Sequence, residues 1–305
     1  MSEKLDHLKW VNLGLRVGGA IIFHPVEYAK VLIQIGYEPM KPYPTKTLFG
    51  KPALALPNVL QYVSYIKTID GVSGCFRGIS PRLSGIIVNG LVYSQASTYL
   101  GGDKYLEECD ESRLSEQERV SRLVNKLTID ITARTAGIIA SQPLAVITYR
   151  MMAQFIGGED KYSNIFSSIV EIYRENGIGG YFSGLIPRLL GELSAAILVA
   201  TLEYAIKNFF TAENDKHRFV SSLASFFVSS LTHPFVVVST CMAVVDSGLA
   251  AGRPPHMPLY TSWICCWSHL SRAKQLKRGS SLVFRYYTGP YSVPTNDSQN
   301  IQKTM

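Results

Sequence analysis

Apolar residues along this chain fall into five long runs separated by short polar, charged or proline-rich links. The runs cover residues 10–35, 81–100, 127–156, 187–210 and 219–245. Each reaches the ~20 mainly apolar residues that a helix needs to cross a bilayer. The pattern therefore predicts five membrane-spanning helices. Runs one, three and five carry Pro25, Pro143 and Pro234 near their middles. Proline removes a backbone donor and kinks a helix, and within a bundle the neighbouring helices satisfy the freed groups. The links differ in kind. Residues 39–57 are rich in proline, residues 103–124 form a charged connecting segment, and residues 288–305 form a polar tail unsuited to a sixth span.

The runs are not uniformly apolar. Side chains on one helix face recur every three or four residues, and at that spacing each run carries a polar stripe. On the first run it includes Asn12, Arg16, Glu27, Lys30 and Gln34, and on the third Asp130, Arg134, Ser141 and Thr148. The fifth offers Ser229, Thr232 and Ser239, and the fourth has Glu192 inside an otherwise apolar stretch. A charged side chain facing lipid at mid-membrane costs roughly 2.5–3.5 kcal/mol. Lining a common water-filled groove avoids that cost, and these twelve residues from Arg16 to Ser239, leaving Asn12 aside, are the candidate groove lining. A simpler reading stands beside it for several of them. Asp130 and Arg134 are an i, i+4 pair that neutralise one another, as do Glu27 and Lys30, and Glu192 has Arg188 four residues before it. Arg82 and Arg188 open their runs and read as snorkelling to head groups. Glu203 and Lys207 read as interfacial, and Gly14-x-x-x-Gly18 as a helix-packing face.

Composition narrows the function classes. Hydrophobic residues make up 47% of the 305 and charged residues 17%, below the roughly 25% charged content of soluble domains. The mean hydropathy is only +0.10 because the charges concentrate in the links. The formal net charge of +7 is scattered through those links. It lacks the basic stripe with neighbouring aromatics that marks a nucleic-acid binder, and suits anionic lipid head groups instead. Five cysteines show no metal or disulfide spacing. The six histidines include no HExxH, no nucleophile elbow or phosphate loop occurs, and neither enzyme chemistry nor a cofactor or metal is expected. The first residues carry no Arg-rich or signal-type pattern.

An internal repeat organises the runs. His24-Pro25-Val26-Glu27 is followed by Asp70-Gly71, four residues, Phe76-Arg77-Gly78 and Pro81-Arg82. Gln142-Pro143 is followed by Asn176-Gly177, four residues, Phe182-Ser183-Gly184 and Pro187-Arg188. His233-Pro234 is followed by Gly279, four residues and Phe284-Arg285. The repeats occupy residues 8–102, 125–211 and a truncated 218–287 of a single domain. This arrangement resembles the mitochondrial carrier superfamily. The resemblance implies an all-α membrane protein, a three-repeat helical bundle, here lacking the sixth transmembrane helix and so left with a laterally open polar groove.

The chain departs from a transporting carrier at the gate. The acidic positions of the signature are Glu27, Ala145 and Val236, and the basic positions Lys30, Thr148 and Ser239. A three-way ring of ion pairs cannot form from these. Residues 30–39, 154–157, 184–191 and 258–264, with the shortened third repeat, are similar to the mitochondrial carrier homolog family of the outer membrane. That resemblance implies a multi-pass outer-membrane protein that inserts α-helical clients, including tail-anchored ones, alongside membrane lipids. It also implies a link to apoptosis through a pro-apoptotic BH3 protein. The alternatives are a phospholipid scramblase, a divergent solute carrier, and a docking receptor that uses the charged 103–124 segment.

Overall fold

The computed structural model describes residues 2–46, 50–102, 115–209 and 214–287. The chain is mostly helical, with α1 Ser2–Ile22, α2 His24–Ile35, α3 Val59–Gly74, α4 Ile79–Tyr99 and α5 Glu116–Ala153 in its first half. The second half contributes α6 Ile165–Asn176, α7 Leu185–Phe209, α8 Asn214–Val244 and α9 Trp263–Arg272. The first run is two helices in one line. Phe23 leaves helical geometry (φ −92°, ψ 7°) two residues before Pro25, which sits in the first turn of α2. Pro143 and Pro234 are instead absorbed inside continuous helices. The third run starts earlier than its apolar residues do. Ser115 and Glu118 form a capping box, so residues 116–124 of the charged connection are the first turns of α5. The remainder of that connection (with Cys109) and the tail from 288 lie outside the described residues.

Three short helices follow the kinked ones, and each is capped by its own sequence. Asn58 and Gln61 cap α3, Asn164 and Ser167 cap α6, and Ser262 caps α9. The core lies where these helices meet α2 and the C-terminal halves of α5 and α8. Tyr28, Leu32, Tyr62, Ile66, Ile147, Met152, Tyr162, Ile172, Leu249 and Leu270 are each at most 1% exposed there. By contrast α4 buries only Pro81, and Ile87, Leu91, Ile186, Leu190, Ile197 and Leu202 on α4 and α7 are exposed. Apolar surface of that extent suits lipid rather than water. The stretches 178–206 and 220–244 are long and apolar enough to cross a membrane, and 10–22 forms a shorter apolar helix.

An all-α reading misses a small sheet. β1 Tyr43–Lys46, β2 Pro52–Leu56 and β3 Arg285–Tyr286 form an antiparallel sheet in the order β1-β2-β3. Its proline residues, Pro44 and Pro52, tolerate strands where few ladder donors are needed. β3 is held by a buried ion pair between Arg285 and Glu38, and Arg285 also donates to the Pro57 carbonyl at 2.7 Å. Phe284-Arg285 therefore belongs to this sheet and not to the repeat turn that its spacing suggested.

Candidate functional site

The end of the bundle beside the short helices is closed by the repeat itself. In each repeat the residue preceding the kinking proline reaches the turn that follows the short helix. His24 Nε2 donates to the Arg77 carbonyl (3.0 Å), Gln142 Nε2 to the Ser183 carbonyl (2.8 Å) and His233 Nε2 to the Arg278 carbonyl (2.7 Å). A left-handed glycine comes next in all three, Gly78, Gly184 and Gly279, with φ of +79°, +74° and +69°. Each glycine faces the next repeat in the ring. A Cβ on Gly78 would lie 3.3 Å from the Thr148 carbonyl, one on Gly184 would strike the Ser239 carbonyl, and one on Gly279 would lie 3.6 Å from the Lys30 carbonyl. Thr148, Ser239 and Lys30 are the three basic positions of the carrier signature. The floor is thus built from backbone contacts and not from charges. The third repeat takes part through Arg278-Gly279, which is the register the spacing to Phe284 obscured.

Above this floor lies a cavity of about 400 Å³. Its walls come from α1, α2, α4, α5 and α7, and its lining includes Arg16, Glu27, Arg134, Ser141, Thr148 and Glu192 from the predicted stripes. The remaining predicted residues lie elsewhere. Lys30 is 4.0 Å from Glu27 on the same helix, and its stem packs toward Gly279. Gln34 is buried in the core, where its side-chain oxygen accepts from Thr240 at 3.3 Å. Asp130 stands behind the wall and receives bonds from Tyr93 (2.7 Å) and Arg134 (2.6 Å), so this pair does neutralise itself. On α8, Ser229 is exposed outside the cavity. Thr232 returns its hydroxyl to Val228 in its own helix at 3.0 Å. Ser239 donates to the Gly184 carbonyl at 2.9 Å. The fifth-run stripe fails to line the cavity because α8 packs mainly on α7 and turns these hydroxyls to backbone acceptors.

The cavity also holds residues that the stripes did not include. Arg82 and Arg188, read as snorkelling, both point inward. The Nη1 of Arg82 is 3.4 Å from His24 Nδ1, and the Nη1 of Arg188 donates to Gln142 Oε1 at 2.8 Å. Asn89 and Tyr93 join them from α4. The signal for all four was available. Arg82 and Arg188 hold equal places in two repeats, and Arg82, Asn89 and Tyr93 share one helical face.

One flank differs from the others. Gly137, six residues before Pro143, lets α4 approach α5, since a Cβ there would lie 3.0 Å from the Asn89 carbonyl. Gly19 stands six residues before Pro25, yet nothing among the described residues comes within 4 Å of it. The same holds for Gly14 and Gly18, so the packing face predicted there has no partner among the described residues. Helix α1 packs on α4 and has no packing of comparable extent on α8.

Comparison with known proteins agrees with this geometry. The family model "Mitochondrial carrier protein" matches residues 120–214. The chain is 40% identical to mitochondrial carrier homolog 2 of Mus musculus, over 88% of this chain and 91% of that one. It is 34% identical to mitochondrial carrier homolog 1 of Mus musculus, over 90% of this chain and 75% of that one. A more distant similarity, 31% over 55% of this chain and 54% of the other, links it to the chloroplastic nicotinamide adenine dinucleotide transporter 1 of Arabidopsis thaliana. The chain belongs to the mitochondrial carrier homolog family.

Proposed function

We propose that this carrier-family membrane protein inserts α-helical proteins, tail-anchored ones included, into the mitochondrial outer membrane. Family membership supports a mitochondrial membrane location. The outer membrane, the insertion activity and a BH3-protein partner are our reading. A client helix carries a polar tail or loop that must cross hydrocarbon, at several kcal/mol per charge. A hydrated cavity open on one side lowers that barrier while the apolar helix slides into lipid. Burial of ~20 apolar residues supplies the driving force, and no nucleotide or metal is needed. In this reading the sixth span is absent and the groove opens between α1 and α8.

The observation that carries the reading is the bare face of α1. Among the described residues Gly14, Gly18 and Gly19 have no neighbour within 4 Å, whereas Gly137, the equivalent of Gly19, faces a helix. Asn12 and Arg16 on α1 and Ser225 and Ser229 on α8 are exposed. The floor argues against solute exchange, because the repeats meet there through glycine–carbonyl packing, and the ion pairs seen nearby, Asp70–Arg77 and Glu27–Lys30, each lie within one repeat. The test is reconstitution of the purified protein in liposomes with a tail-anchored client. Wild type should raise insertion several-fold over empty liposomes, and Glu192→Arg should change that rate without unfolding the protein. Insertion that equals the empty-liposome rate, or that ignores Glu192→Arg, would remove the cavity from the mechanism.

A further inference from the structure

The charges in the cavity are unequal in their commitments. Arg134 is held by Asp130, and Glu27 lies beside Lys30. Arg16, Arg82 and Arg188 have no carboxylate partner within 4.0 Å among the described residues, nor does Glu192, and of the three arginines only Arg82 and Arg188 are held at the floor. The two arginines are equivalent by repeat, each in the first turn of a span, α4 or α7. Each is pinned by one Nη1, to His24 or to Gln142, and those residues are pinned in turn to the floor. The other donors of both guanidiniums are left for the cavity. Two forks fixed at one end and facing one space match the oxygens of a phosphate, which guanidinium recognises in a planar, bidentate way. One helical turn beyond Arg188 on α7, Glu192 supplies a single negative charge to the same cavity.

From this arrangement we propose that the cavity binds the head group of a zwitterionic phospholipid, its phosphate between Arg82 and Arg188 and its amine toward Glu192. The two arginines alone would fit any phosphate. The unpaired carboxylate at the next turn makes the complement a phosphate followed by a cation. Neither insertion nor a client is required for this binding, so its failure and the failure of insertion are separate results.

The experiment is lipid retention by the purified full chain in a neutral sugar detergent, read by native mass spectrometry. The probes are phosphatidylethanolamine, phosphatidic acid and diacylglycerol of matched acyl chains, with inorganic phosphate as a competitor. Wild type should retain phosphatidylethanolamine best, then phosphatidic acid, then diacylglycerol. The Arg82→Gln/Arg188→Gln double variant should lose phosphatidylethanolamine by about tenfold or more, the loss expected for removed charge-assisted bonds. Glu192→Gln leaves the floor latches intact, so it guards against loss by misfolding. It should make phosphatidylethanolamine and phosphatidic acid equal. Equal retention of diacylglycerol and phosphatidylethanolamine would overturn the proposal, as would an unchanged Glu192→Gln preference. Inorganic phosphate that stabilises the protein as well as phosphatidylethanolamine does would assign the site to a soluble anion and overturn the lipid assignment.

Discussion

Individual residues decide how the floor is made. Gly184 combines a φ of +74° with an approach so close that any Cβ would meet the Ser239 carbonyl. A non-glycine residue in left-handed geometry costs roughly 1–2 kcal/mol, and the contact with backbone adds to that because a carbonyl cannot rotate away. Gly184→Ala should therefore destabilise the protein by about 2–4 kcal/mol in thermal or denaturant unfolding in detergent. Gly158→Ala is the control. Gly158 has a φ of +65° with nothing within 4 Å, so it should show the conformational cost alone. Equal losses at the two positions would mean that the glycine–carbonyl contact carries no weight in the floor. The residue scale is also where sequence reading was least sure. Arg134 and Asp130 were legible as a pair from their i, i+4 spacing alone. The inward turn of Arg82 and Arg188 depends on His24 and Gln142, which lie 58 and 46 residues away in the chain. Repeat spacing and helical face point to the inward turn, but these distant partners lie outside any local pattern.

At the scale of elements, the helices α4, α7 and α8 follow directly from the apolar runs, and α7 and α8 contain stretches long and apolar enough to cross a membrane. The break at Phe23 and the charged first turns of α5 do not follow from apolarity. One comes from a proline and the other from a capping box. The sheet was invisible because β1 and β2 are short and interrupted by proline, and β2 pairs with β3 across more than 200 residues of chain. The third repeat misled the spacing for a similar reason. Gly71 and Gly177 precede the floor glycines by seven residues, whereas the left-handed Lys274 precedes Gly279 by five. A turn shortened by two residues let Phe284-Arg285 imitate the motif. The short helix α6 shows how such an element is fixed. Lys161 Nζ bonds Glu171 at 2.9 Å and also Glu175, joining both to the preceding loop. The hydrogen bond from Lys161 lowers the Glu175 carboxyl below its ordinary value against the opposing effect of burial. An acid depressed in the folded state stabilises it above the ordinary carboxylate value of about 4.3. That stabilisation is lost as pH falls through the folded value. Unfolding temperature should thus drop below about pH 4.3, and Glu175→Gln should lower it at pH 7 and weaken that pH dependence. The effect at a partly exposed pair is up to about 1 kcal/mol. A variant with the wild-type pH profile would show that this pair contributes nothing.

The whole molecule joins a closed floor to an unequal wall. His24, Gln142 and His233 close each repeat on itself, and three left-handed glycines join each repeat to the next, so the carrier plan persists through backbone contacts. After Gly78 and Gly184 the chain at once begins α4 and α7. After Gly279 it continues instead to β3, where Arg285 and Glu38 bind it to the sheet. Among the described residues α1 lacks the packing that α5 and α8 receive, which is the observation behind the proposed groove. The sequence made the repeat plan legible through its prolines and glycines. It could not show that α8 turns its serine and threonine hydroxyls away from the cavity, since that rotation is set by packing on α7.

Site-specific photo-crosslinking during insertion tests the proposed groove most directly. A photoreactive residue is placed at Asn12 on α1, at Ser229 on α8, or at Ile87 on the apolar outer face of α4, and a tail-anchored client is added. Crosslinks to the client's apolar helix from Asn12 and Ser229, and far fewer from Ile87, are expected if clients leave between α1 and α8. Crosslinking at Ile87 that equals or exceeds that at Asn12 and Ser229 would mean that clients do not pass that flank.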